Sequence, residues 1–263
     1  MTDQGVRFSR SIIRPPADSF AEGLTASDLG APNLERARVQ HAQYCLALQR
    51  LGVTLLPVPP DSMYPDSTFV EDTAVVTAHG AMLARPGAPS RQGEVTTIRE
   101  VLESQYATVA EIIAPGTLDG GDICQVDGHF FIGLSHRTNE EGGRQLTSWL
   151  GRFGYTTSTI SIRESRELLH LKSGIAWLGD RRLVVAEALV GHPALRGYEQ
   201  LVAATEETYA ANCVRVNDAV LMAAGFPELT ARVSAFGREV VVLDVSEFRK
   251  MDGGLSCLSI RLP

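Results

Sequence analysis

Cysteine, histidine and a surplus of carboxylates are the residues of this chain that can combine into covalent chemistry. A thiolate is a strong nucleophile, and a histidine beside it can carry protons to and fro. A carboxylate on the other imidazole nitrogen fixes the tautomer and steadies the imidazolium. Four cysteines and six histidines allow many pairings, so spacing alone does not choose among them. Cys45 falls in an expected helix and Cys213 opens an expected strand, where a free thiol is ordinarily a small buried hydrophobe. Cys124 follows an acidic Gly-Gly turn, and Cys257 follows a second one. No CxxC pair occurs, which argues against a zinc knuckle or a dithiol redox centre. His79 and His129 read as hairpin-turn residues, and His41 and His192 as exposed ones.

Asp119-Gly120-Gly121-Asp122 and Asp252-Gly253-Gly254 each precede an apolar run. Paired glycines let backbone approach a ligand closely. One such segment is usually an ordinary turn; two in matching positions point towards a site. Asp66, Glu71 and Asp72 gather around Phe69 and Val70. Three acids this close repel unless a cation joins them, so they form either a solvated loop or a guanidinium site. The second fits because planar N–H donors match carboxylates two at a time.

Similar units must position these residues. Apolar runs joined by turns recur at 73–77 and 81–85, 123–126 and 130–134, 175–178 and 183–186, and 213–216 and 220–224. The turns are expected at His79-Gly80, Asp127-Gly128, Gly179-Asp180 and Asn217-Asp218. Helices are expected over 94–106, over 139–153 with Asn139 as cap, and over 228–236. The last unit is split between the termini: strands at 255–262 and 8–14, then a helix at 34–51. A period of roughly 50 residues is that of a closed, propeller-like array. In such a ring the loops ahead of the hairpins meet at one end and bring Asp66, Glu71, Asp72, Asp119, Asp122, His170, Asp252 and Cys257 together. Pro57–Pro65 reads as a loop within one domain spanning 1–263.

The 263 residues suffice for a sizeable core, and a net charge of −7 with no basic run disfavours nucleic acid and anionic membranes. No apolar stretch approaches the ~20 residues of a membrane span, and Met1–Arg10 lacks a secretory core. A cytoplasmic protein with free thiols is therefore expected.

Nearly the whole chain resembles the dimethylarginine dimethylaminohydrolase family of the guanidino-group modifying superfamily. The segments that carry the resemblance include Glu22-Gly23-Leu24, Pro65-Asp66-Ser67, Phe69-Val70-Glu71-Asp72, Arg85-Pro86-Gly87, Leu118-Asp119-Gly120-Gly121-Asp122, Arg137-Thr138-Asn139, His170-Leu171-Lys172-Ser173, Ala211-Asn212-Cys213 and Asp252-Gly253-Gly254-Leu255-Ser256-Cys257. The resemblance implies an α/β fold: a fivefold pseudo-symmetric, pentein-like propeller in one domain. It implies Cys257 as nucleophile, His170 as proton shuttle and Asp119 as the acid that orients the histidine. It implies that Asp72 and Glu71 hold a guanidinium and that Arg91 and Arg137 bind the amino-acid carboxylate. Asp66 and the backbone carbonyls of Leu24 and Met251 would take the amino group, with Phe69 and Asp252 in the same substrate site.

The implied reaction is hydrolysis of Nω-methylated arginine to citrulline and an alkylamine through a covalent cysteine thiouronium. No metal or cofactor is implied, and a homodimer is compatible with the family. An arginine deiminase would share the chemistry, but it usually carries an extra helical insertion for which this chain has no room. An amidinotransferase is disfavoured by length. A non-catalytic binding ring is disfavoured by the joint presence of Cys257, His170 and Asp119.

Overall fold

A computed structural model describes residues 6–165 and 167–263. Its described residues form five three-stranded sheets, each built on one plan: an antiparallel pair followed by a parallel outer strand. The first sheet joins β15 (Ile260–Leu262) antiparallel to β1 (Arg10–Ile13), with β2 (Thr54–Pro57) parallel at its edge. The others are β3–β5 (Ala74–Thr77, Gly80–Leu83, Val109–Glu111), β6–β8 (Ile123–Val126, His129–Leu134, Thr156–Ser161), β9–β11 (Ile175–Gly179, Arg182–Val185, Glu199–Val202) and β12–β14 (Val214–Val216, Ala219–Ala223, Glu239–Leu243). The two ends of the chain thus pair within one sheet and close the expected ring, a fivefold pseudo-symmetric α/β propeller. The inner strands touch their neighbours around the axis, β15 against β3, β6 against β9 and β9 against β12.

Four of the five parallel crossovers run through a helix packed outside its sheet. They are α1 (Leu34–Arg50), α2 (Val95–Gln105), α3 (Glu140–Gly151) and α4 (Pro227–Ser234); a short α5 (Ser246–Arg249) follows the last sheet. Asn33 and Asn139 cap α1 and α3 by accepting the backbone N–H of Arg36 and Gly142, which satisfies donors that the first helical turn leaves open. Ala37, Tyr44 and Leu48 form the buried stripe of α1, in one core with Val214, Val220 and Phe248.

Four expectations need correction. Residues 255–262 are not one strand: Ser256–Leu258 is a 3-10 turn, and pairing begins at Ile260. The five outer parallel strands were not anticipated. They are largely exposed or half-buried, so none shows a clear inward–outward alternation. Two of the turns lie one residue away, at Ala78-His79 and at Asp180-Arg181. His41 is buried rather than exposed, because it shares the inner stripe of α1 with Tyr44 and Leu48; burial lowers its pKa to about 4.

Candidate active site

The loops ahead of the hairpins converge at one end of the ring. Each is a 3-10 turn just ahead of the first strand of its hairpin: Val70–Thr73, Gly120–Asp122, Leu171–Ser173, Thr205–Ala211 and Ser256–Leu258. The glycines let these loops pack on one another. A Cβ on Gly121 would lie 2.7 Å from Asp72 Oδ1 and 2.8 Å from His170 Nδ1, and one on Gly120 or Gly253 would collide with the Glu71 carbonyl or the Phe69 ring. The paired glycines therefore admit neighbouring loops, and Gly253 also lines the cavity around Cys257 and His170.

His170 joins two acids. Its Nε2 lies 3.2 Å from Asp119 Oδ2 and its Nδ1 4.0 Å from Asp72 Oδ1. Burial opposes a charged ring, but the fields of Asp72, Asp119 and Asp122 and the Asp119 hydrogen bond outweigh it, and the pKa is raised to about 9. Asp119 is held in turn by the Gly87 N–H at 2.8 Å on its other oxygen. Asp122 works behind the histidine. It accepts from the Leu171 N–H and from the hydroxyls of Ser135 and Thr138, so it locks the His170 turn to the loop that carries Arg137.

Cys257 is buried in its 3-10 turn. Burial pushes its thiol up, and the fields of Glu71 and Asp72 push the same way. Both effects favour the protonated thiol.

Cys257 and His170 face one small cavity with Asp66, Phe69, Asp72, Arg91, Arg137, Met251 and Asp252, and Leu24 sits at its mouth. The cavity holds only about 20 Å³, close to the size of one water. Asp66 accepts the Leu24 N–H at 3.1 Å, and burial raises its pKa. Asp252 accepts the Ala26 N–H at 2.6 Å, so the Leu24 segment is tied down on both sides of the cavity. Phe69 packs its ring against Phe20 and Phe248 beneath.

Two expected ligands are already engaged. The Arg91 fork pairs with both oxygens of Glu94 and, through Nη1, with Asp72 Oδ2 at 2.7 Å. His170 and Arg91 overcome the cost of burying Asp72 and hold it below the usual carboxylate range. Glu71 does not line the cavity. It faces the ring axis, where its Oε1 pairs with Lys172 and Arg261. Arg137 is different: its Nη1 is buried without a hydrogen-bond partner, 4.0 Å from Asp119. Asp72, Asp119 and His170 also offer ligand atoms within 4.8 Å of one another, but the hydrogen bonds and ion pairs above already use that geometry. Glu94, Asn212 and Ser256 escaped the sequence reading. Asn212 and Ser256 lie inside matching segments; Glu94 carried no signal.

Residues 62–222 match the family model described as arginine deiminase. The chain is 42% identical to N(G),N(G)-dimethylarginine dimethylaminohydrolase of Pseudomonas aeruginosa, over 97% of this chain and 99% of that one. The chain belongs to the dimethylarginine dimethylaminohydrolase family. Two solved members superpose on it. The Pseudomonas aeruginosa enzyme, as a cysteine-to-serine mutant complexed with citrulline, has a TM-score of 0.95 at 41% identity, covering 98% of this chain and 100% of that one. A histidine-to-glycine variant of dimethylarginine dimethylaminohydrolase, as an adduct with S-methyl-L-thiocitrulline, has a TM-score of 0.94 at 42% identity, covering 97% and 100%. Among the described residues no helix is long and apolar enough to cross a membrane.

Proposed function

We propose that this chain hydrolyses Nω-methylated arginine to citrulline, with dimethylamine or methylamine as the second product, through a covalent intermediate on Cys257. The observation that carries the reading is one small cavity that joins a thiol, an imidazole and Asp72 to Arg137, whose buried Nη1 has no hydrogen-bond partner. A guanidinium amino acid has the complementary polarity, cationic at one end and anionic at the other.

Asp72 holds the guanidinium and Arg137 the carboxylate, while Asp66 and the carbonyls of Leu24 and Met251 take the amino group. Arg91 already occupies Asp72 Oδ2, so the substrate competes with an internal guanidinium for that carboxylate. The cation offsets the negative field that keeps Cys257 protonated, and the thiol loses its proton to solvent on binding, since His170 already carries its own. The thiolate attacks the guanidinium carbon and forms a C–S bond. The C–N bond to the alkylamine then breaks as His170 Nδ1, on the Asp72 side of the ring, gives that nitrogen a proton. Asp119 keeps the ring oriented. Water next attacks the thiouronium carbon as His170 removes one of its protons; the C–S bond then breaks, the remaining hydroxyl proton passes to solvent, and the thiolate and citrulline are released. Glu71, on the axis side, acts on this chemistry through its field rather than by contact.

The test is citrulline release from a panel of asymmetric dimethylarginine, monomethylarginine, arginine and agmatine. Turnover of the methylated substrates with poor use of agmatine is expected. Turnover of arginine alone would favour the deiminase reading, to which the match over residues 62–222 gives weight. No turnover of any of the four would overturn both.

A further inference from the structure

Ala211-Asn212-Cys213 matches the family in sequence, yet the mechanism above gives it no task. Asn212 is buried at the end of the 3-10 turn Thr205–Ala211. Its Nδ2 donates to the Lys172 carbonyl at 2.9 Å and to Ser256 Oγ at 3.0 Å, and its Oδ1 accepts the Ser256 N–H at 3.0 Å. Lys172 is two residues beyond His170, and Ser256 directly precedes Cys257. One amide therefore cross-links the turn that carries the shuttle to the turn that carries the nucleophile. Gly254 makes room for it, since a Cβ there would lie 2.5 Å from Asn212 Oδ1.

The same bonds orient a hydroxyl. Ser256 Oγ accepts from Asn212, so its own hydrogen must point elsewhere, and Cys257 Sγ lies 4.0 Å from that oxygen. We propose that Asn212 is a positioning residue that spaces Cys257 from His170 and turns the Ser256 hydroxyl towards the cysteine sulfur, where it stabilises the thiolate. The proposal rests on Cys257 being the nucleophile of the function given above. The charged groups around the sulfur set the need for such a donor. Glu71 and Asp72 oppose the thiolate, while Lys172 and the Gly254 backbone favour it. A hydroxyl donor adds to the favourable side at the moment the negative charge appears.

The test uses the full chain with Ser256→Ala, Ser256→Thr and Asn212→Ala. Alkylation of Cys257 by iodoacetamide is followed by mass spectrometry of the C-terminal peptide across a pH series, beside kcat, KM and the melting temperature. Losing a hydrogen bond to a charged group should slow Ser256→Ala alkylation about tenfold at neutral pH and shift its profile to higher pH. Its kcat should fall by a similar factor while KM stays within about twofold. Ser256→Thr keeps the hydroxyl and should recover alkylation, which a purely structural role would not predict. Asn212→Ala should slow alkylation and lower kcat in the same direction; if it does not fold, the Ser256 pair decides. A folded Ser256→Ala with wild-type alkylation and kcat would overturn the proposal. Alkylation needs no guanidine substrate. A wild type that turns over no methylarginine but shows this alkylation pattern would overturn the function and leave this inference standing.

Discussion

His170 Nε2 lies 3.2 Å from Asp119 Oδ2, a buried contact between residues 51 apart in the chain. Asp119 and Asp72 take opposite nitrogens of the same ring, so the imidazolium is held between two carboxylates. This is the arrangement needed by a group that first donates a proton and then accepts one.

Asp119→Asn keeps the shape of the contact and removes its charge. Turnover should fall by roughly 10²–10⁴-fold, because the ring loses both its preferred tautomer and support for its charge. Steady-state kinetics would check this, with circular dichroism to confirm folding. Wild-type kcat in a folded variant would remove Asp119 from the mechanism.

The same contact predicts a pH dependence of stability. His170 is raised on folding from 6.5 to about 9, so its charged form stabilises the fold. That contribution is complete below the unfolded value and is lost as pH rises through about 9. The melting temperature of the wild type should therefore exceed that of Asp119→Asn by more at about pH 6 than at about pH 10. A gap that widens towards alkaline pH would contradict the assignment.

Cys257→Ser should fold and lose nearly all turnover, since a hydroxyl is a far weaker nucleophile at neutral pH. Cys45→Ser should retain activity, because Cys45 lies in α1 and lines no part of the cavity. Equal turnover by the wild type and Cys257→Ser would sink the covalent mechanism.

His170→Gly separates the two halves of the reaction. Given a guanidine or amidine analogue with a good leaving group, it should still be attacked by Cys257 but should fail to activate water. An adduct on the C-terminal peptide should then survive acid quench, seen as a mass increase of the intact protein. Complete turnover at the wild-type rate with no adduct would show that His170 is not the shuttle.

Gly121→Ala tests the packing of the loops. Its Cβ would have to displace Asp72 Oδ1 or His170 Nδ1, both under 3 Å away. Overpacking of this kind costs about 1–3 kcal/mol, and here it also parts the histidine from its acid. Thermal melting and kcat should drop together. An alanine variant with unchanged melting and rate would mean that the loops are looser than this geometry.

The ring was legible in the chain because hairpins are local. Asp127-Gly128 and Asn217-Asp218 lie between apolar runs, and Asp127 and Asn217 adopt the positive φ that such turns require. The nucleophile, the shuttle and its acid were legible as motif residues in fixed order. Other features depend on residues remote in sequence. The outer strands Thr156–Ser161 and Glu199–Val202 are partnered on one edge only and bury little, so they leave weak hydrophobic patterns. The roles of acids in a loop could not be assigned from residue type. Glu71 and Asp72 are adjacent and alike, yet one turns to Lys172 and Arg261 on the axis and the other to Arg91 and His170 in the cavity. Arg91 comes from the same unit as Asp72, but only tertiary packing brings Lys172, His170 and Arg261 within reach. Coulomb attraction and the cost of burying an unpaired charge then choose the direction of each side chain. The sequence by itself determined which residue types were present and how the hairpins turned; the tertiary structure decided which charge each one meets.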